Sequence, residues 1–195
     1  MAKRKCEFVQ GEYYHIYNRG VCGQPIFLSD KNYTHLLQLV RRHFLDLSIS
    51  IIAYCLMPNH YHFLVRQDSE STVSEFVQCV FNAYGKGFNS NHRRSGRLFE
   101  GPFKAKHIDS DTYLLHLCRY IHRNPIDTDP PMVRRLEQWP YSNYSEWTGI
   151  RKGSLVDYEF VDDCLCRIRD YNEFIMEEPS LKVKQRLEKY LFDSH

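Results

Sequence analysis

The sequence has no run approaching the roughly 20 apolar residues that a membrane-crossing helix needs, and its opening, MAKRKCEFVQGEYY, carries charges without the apolar stretch of a secretory signal. A cytoplasmic chain with no membrane partner is expected. It has no C-x-x-C pair: its seven cysteines are an odd number scattered mostly among apolar neighbours. That argues against a zinc knuckle or a disulfide frame and for reduced thiols in a core. No G-x-x-x-x-G-K-S/T loop is present, so no ATP site is expected. Internal repeats and low-complexity tracts are absent as well, which excludes a solenoid.

What is present is the balance of a folded protein. With 195 residues, 43% hydrophobic and 26% charged, the chain can bury one core with a small appendage. A main domain over 1–150 and a helical extension over 151–195 are expected. The net charge of +2 hides an asymmetry. Residues 86 to 107 hold Lys86, Arg93, Arg94, Arg97, Lys104 and Lys106 against Glu100 alone, whereas 153 to 178 set a run of acids against Arg167 and Arg169. The basic segment suits a polyanion such as nucleic acid, or is simply a solvated face.

The periodicities give an order of elements. EYYHIY (12–17) reads as a strand ended by Asn18, Arg19 and Gly20. Ser29 or Asp30 then caps a helix whose Tyr33, Leu36, Leu37, Val40 and Phe44 keep the spacing of one buried face. SISIIAYCL (48–56) and HYHFLV (60–65) are strands joined by so short a link that they must form an antiparallel hairpin. A helix from Ser71 to about Asn89, a polar basic loop, a strand in PFKAKHI and a helix capped by Ser110 and stopped by Pro125 follow. The order β-α-β-β-α-β-α predicts an α+β fold: a ferredoxin-like, RRM-like βαββαβ antiparallel sheet with helices on one face, then a further helix and a C-terminal extension.

Residues i and i+2 of a strand point the same way, so His60 and His62 leave one face while Tyr61 and Phe63 leave the other. Two imidazoles so placed could share a divalent ion, or each could be an ordinary hydrogen-bonded histidine. In RYIHRNP, Tyr120 and Asn124 lie four apart on one helical face. The Asn124 amide oxygen could be a third ligand, hard enough for magnesium or manganese. Tyr120 could then act as a nucleophile about one helical turn, roughly 5 Å, from the ion, or be an amphipathic tyrosine at a core edge. His107, His116 and His122 read as structural or solvent-facing, and Trp139, Tyr141 and Tyr144 as a packing cluster.

Taken together, PNHYHFLV, GRLFEGPFKAKHIDSDTYLLHLCRYIHRNP and WPYSNY resemble, in order and spacing over about residues 10 to 147, the single-tyrosine HUH transposases of the IS200-like kind, and within them the group related to REP-associated tyrosine transposases. The resemblance implies that His60, His62 and Asn124 hold a Mg2+ or Mn2+ ion and that Tyr120 is the nucleophile. It implies cutting of single-stranded DNA beside a hairpin through a 5′-phosphotyrosine link, with the freed 3′-hydroxyl able to reverse the step. Phosphate contacts then fall to Arg93, Arg94, Arg97, Lys104 and Lys106, with Phe99 and Phe103 either stacking on bases or belonging to the core. Where the best-defined REP-associated members tend to carry a GTxY-like element, this chain has GEYYHIYNRG, a departure that bears on the hairpin substrate more than on the chemistry.

Three rival readings are a domesticated hairpin-binding protein without cleavage, a hydrolase that activates water, and a replication-initiator or relaxase-like HUH endonuclease. Relatives act as monomers or as dimers exchanging tyrosine helices, so a homodimer is among the states the resemblance allows.

Overall fold

In the computed structural model, which describes residues 6–168 and 170–190, four strands form one antiparallel sheet in the order β2-β3-β1-β4. The opening residues 1–5, Arg169 of the acidic segment and the end of the predicted extension, 191–195, lie outside the described residues. The strands are β1 (Tyr13–Arg19), β2 (Ile49–Met57), β3 (His60–Gln67) and β4 (Lys104–Ile108). Helices α1 (Asp30–His43) and α2 (Val73–Asn91) lie between them in sequence as the ferredoxin-like order requires. No helix among the described residues is long and apolar enough to cross a membrane.

Local chemistry sets these elements. Pro58 and Asn59 form the link between Met57 and His60, which pair directly and fix the β2–β3 register. The α2 start is a capping box in which the Thr72 hydroxyl accepts from the Glu75 N–H and the Glu75 carboxylate accepts from the Thr72 N–H. Strand β1 runs on to Arg19 rather than stopping at Tyr17, because Asn18 and Arg19 find partners in Tyr61 and His60.

Strand alternation divides the molecule into two cores. On one face Tyr14, Ile16, Tyr61, Phe63 and Val65 pack against Tyr33, Leu36 and Val40 of α1 and Phe76, Val80 and Tyr84 of α2. At roughly 1.5–3 kcal/mol per buried large side chain, this layer is a principal source of stability. A bulge between Ile51 and Ala53 lets Ile51 face this core while Ala53, Cys55 and Met57 face the other.

The second face is covered by α3 (Asp111–Arg123), through Leu114, Leu117, Cys118 and Ile121. Helices α4 (Tyr144–Trp147), α5 (Tyr158–Leu165), α6 (Tyr171–Met176) and α7 (Leu181–Leu187) complete it with Trp147, Val161, Tyr171, Ile175 and Leu187. The expected Trp139–Tyr141–Tyr144 cluster divides between the two. Tyr141 stacks on Tyr33 with centroids 3.7 Å apart and Trp139 donates to the Leu56 carbonyl, while Tyr144 lies in the second core.

Candidate active site

The β1–β3 register builds the floor of the site. His62 pairs with Tyr17 and His60 with Arg19, and Tyr17 pairs on its other side with Lys104 of β4. Directly paired residues share a face, so His60, His62, His15, Tyr17, Lys104 and Lys106 all belong to the side covered by α3. Tyr61 leaves the opposite face and stacks on Phe81 at 4.0 Å.

Helix α3 brings the other half. It ends where Pro125, lacking an N–H, cannot continue it, leaving Asn124 at the C-cap. The Asn124 amide donates from Nδ2 to the Tyr120 carbonyl at 2.9 Å, which turns its Oδ1 to His60 Nε2 at 3.2 Å. The Tyr120 ring lies edge-on to His62, with centroids 5.5 Å apart. His60, His62, Tyr120 and Asn124, separated by some sixty residues of chain, are therefore in one place.

Each site histidine has a second partner on Nδ1. His60 Nδ1 is 2.7 Å from Asn59 Oδ1, and Asn59 is itself oriented by donation from Nδ2 to the Gly23 carbonyl. His62 Nδ1 is 2.9 Å from His15 Nε2. This is the arrangement that orients metal-binding imidazoles: a hydrogen bond at one ring nitrogen keeps the lone pair at the other. Burial lowers the His60 pKa, opposed by the Asn124 hydrogen bond, and burial followed by the neighbouring His60 and His15 lowers His62 well below the usual range. Both rings are thereby held in the neutral form that binds a cation.

His15 and Asn59 are the residues that the sequence reading missed. His15 is fully buried in a strand interior, an unusual place for an imidazole, and it shares the parity of Tyr17. That combination was the available signal. Among the described residues no three His, Cys, Asp or Glu side chains are placed to hold an ion, and the polar atom beside His60 Nε2 is the Asn124 amide oxygen.

The basic residues separate into two groups. Lys104 and Lys106 sit beside the floor, each Nζ 5.9 Å from the centre of the Tyr17 ring. Arg93, Arg94 and Arg97 lie instead in the loop after α2, where Arg94 donates to Asn89 Oδ1 and to the Arg97 carbonyl and so shapes the loop itself. Phe99 and Phe103 are half-buried against the first core. His107 pairs with Glu12, while His122 is buried between Tyr171 and Asn143. On the outer side of α3, Arg119 and Arg123 donate to backbone carbonyls of Ile175 and Glu177, and Tyr120 lines a cleft of about 440 Å3 with Arg119, Arg123 and Met176.

The profile of the IS200-like transposase family matches residues 9–124, more than half of the chain. The chain belongs to this family. Among solved structures, a REP-associated tyrosine transposase bound to a REP hairpin superposes with a TM-score of 0.62 at 17% identity, covering 80% of this chain and 94% of that one. A Deinococcus radiodurans R1 protein described as a transposase matches with a TM-score of 0.43 at 17% identity, over 62% of this chain and 96% of that one. No curated protein matches the chain by sequence. As an IS200-like transposase, the chain has a DNA-transposase type of function, on the fold of the REP-associated enzyme.

Proposed function

We propose that this transposase cleaves and rejoins single-stranded DNA beside hairpins such as repetitive extragenic palindromes, with Tyr120 as nucleophile. The observation that carries the reading is the juxtaposition of Asn124 with His60, of His60 with His62 and of His62 with the Tyr120 ring. In this reading residues 1–150 are the catalytic domain and 151–195 its extension.

Tyr120 Oη attacks the scissile phosphorus, the bond from phosphorus to the 3′ oxygen breaks, and that oxygen leaves as a 3′-hydroxyl carrying the proton lost from tyrosine. The 5′ end stays esterified to Tyr120, so the energy of the phosphodiester is conserved and the reverse attack reseals a strand without ATP. His60, His62 and Asn124 present two nitrogens and one oxygen, a donor set that fits Mg2+ or Mn2+. A bound ion supplies charge neutralisation for the phosphate as negative charge builds up. Lys104 and Lys106, on the same face, neutralise neighbouring phosphates, and Arg93, Arg94 and Arg97 contact the strand further out.

End-labelled hairpin DNA with single-stranded flanks tests this in Mg2+. The 5′-side fragment should be released with a free 3′-hydroxyl while the 3′-side fragment stays protein-bound, and dilution into a competing acceptor strand should give a rejoined product. Release of both fragments with no bound strand would mark a water-using hydrolase. Tight hairpin binding without cleavage would mark a binding protein.

A further inference from the structure

Helix α2 carries two glycines in its interior, where glycine is disfavoured relative to alanine and so calls for a reason. Gly87 has one: a Cβ there would meet the His35 ring at 2.9 Å, so the close approach of α1 accounts for it. Gly85 has none among the described residues. A Cβ on Gly85 would meet nothing within 4 Å, and its backbone is not in the left-handed region. The same holds for Gly101, in the loop facing α2.

Both glycines open onto one cleft of about 530 Å3 between α2 and the loop after it. Half-buried Phe99 gives it an aromatic wall, set edge-on at 5.8 Å to the buried Phe81 at its base, and Lys86 and Arg97 complete it without any acid among the described lining residues. The volume lies in the range of sites for small organic groups. A free phosphate would have no use for an aromatic wall, and a neutral apolar ligand none for two cations. A nucleotide within a strand uses both, its base on the aromatic wall and its phosphates on the cations.

The cleft is joined to the active site through the end of β1. Val21 N–H donates to the Leu98 carbonyl at 3.1 Å, Glu100 N–H to the Arg19 carbonyl at 2.9 Å, and Asn18 Nδ2 to the Gly101 carbonyl at 3.0 Å. Arg19 is the residue paired with His60, and Phe81 at the base of the cleft stacks on Tyr61 between the two site histidines. We propose that this cleft receives one unstacked base of single-stranded DNA, on the face of the sheet opposite Tyr120, with Lys86 and Arg97 on the flanking phosphates. The proposal rests on the reading of the protein as acting on single strands.

The test compares the affinity for oligothymidylate and oligoadenylate with that for an abasic strand of equal length, by fluorescence anisotropy. The wild-type protein should prefer a base-bearing strand by about tenfold or more, since stacking of one base on an aromatic ring is of that size. Gly85→Leu fills the cleft with a better helix former, so it should melt no earlier than wild type, bind the abasic strand as wild type does, and lose the preference. Gly101→Leu, which enters from the opposite wall, should lose it too. A preference retained in both variants would overturn the proposal, as would equal binding of all strands by the wild-type protein, which would leave DNA binding itself intact. Failure of the wild-type protein to bind any strand would bring down the single-strand reading and the cleft with it.

Discussion

His60 Nε2 and Asn124 Oδ1 face each other across 3.2 Å. Asn59 Oδ1, 2.7 Å from the other ring nitrogen, is an acceptor as well, and both amides donate their NH2 groups to carbonyls, so a neutral His60 ring, with one N–H, can satisfy only one of the two oxygens. The ring nitrogen left without a proton then faces an amide oxygen, a pairing that a bound cation would relieve. Mn2+ should therefore raise the melting temperature, the equivalent of about 2.7 kcal/mol at a hundredfold excess over its dissociation constant. His60→Ala and Asn124→Ala should remove most of that rise, whereas Asn124→Asp, which adds a charge and keeps the oxygen, should retain it. Thermal melts with and without MnCl2 read all three.

His15 should matter to the ion without touching it. Its Nε2 lies 2.9 Å from His62 Nδ1, and in the His62 tautomer that an ion needs it accepts the Nδ1 proton and leaves the lone pair on Nε2. His15→Phe fills the same space but accepts no proton, and Mn2+ affinity followed by electron paramagnetic resonance should fall by about 10–100-fold. His15→Gln, which supplies an acceptor, should recover part of it. Equal affinities in the two variants would reduce His15 to packing.

Asn143 ties α3 to the sheet. Its Oδ1 accepts from the Tyr54 N–H at 2.7 Å and faces His122 Nε2 at 2.9 Å, while its Nδ2 donates to the Ile52 carbonyl at 2.9 Å. Asn143→Ala takes the side-chain partner from the buried Tyr54 N–H and from His122 Nε2, while the Ile52 carbonyl keeps the Trp147 indole N–H, and should cost roughly 2–4 kcal/mol in urea denaturation. Cleavage should slow as well, because α3 loses this tie to the sheet two residues from Tyr120.

Alkali tests the pin at the β2 edge. Burial, followed by the hydrogen bond to Asp30, pushes the Tyr141 hydroxyl up to about 12 from an ordinary 10.0. The unfolded chain then releases that proton first, so the stability linked to Tyr141 is intact below pH 10 and is lost as pH rises toward 12. Tyr141→Phe keeps the stack on Tyr33 and removes the titrating group. Its melting temperature should fall less steeply than that of the wild-type protein between those pH values.

The sheet, its helices and the elements that carry the four proposed site residues were legible in the sequence because each follows a local rule. His60 and His62 obey strand parity, Tyr120 and Asn124 obey helix spacing, and Pro125 ends α3 by its missing N–H. What was not legible depends on pairing between distant strands. The bulge at Ile51 and Ala53 sits in a run that is apolar throughout and so offers no break in alternation. His15 becomes a partner of His62 only through the β1–β3 register. The grouping of Lys104 and Lys106 with the site, away from Arg93, Arg94 and Arg97, likewise follows from β4 pairing with β1, since all five look alike as a basic segment.

The most direct measurement is peptide mapping of the protein after incubation with hairpin DNA bearing single-stranded flanks in Mg2+ or Mn2+. The tyrosine-nucleophile mechanism predicts one modified peptide, carrying a 5′-phosphonucleotide on Tyr120, and no adduct with Tyr120→Phe. A nucleotide on any other side chain, or an adduct that survives Tyr120→Phe, would contradict it, as would strand cleavage with no covalent species formed.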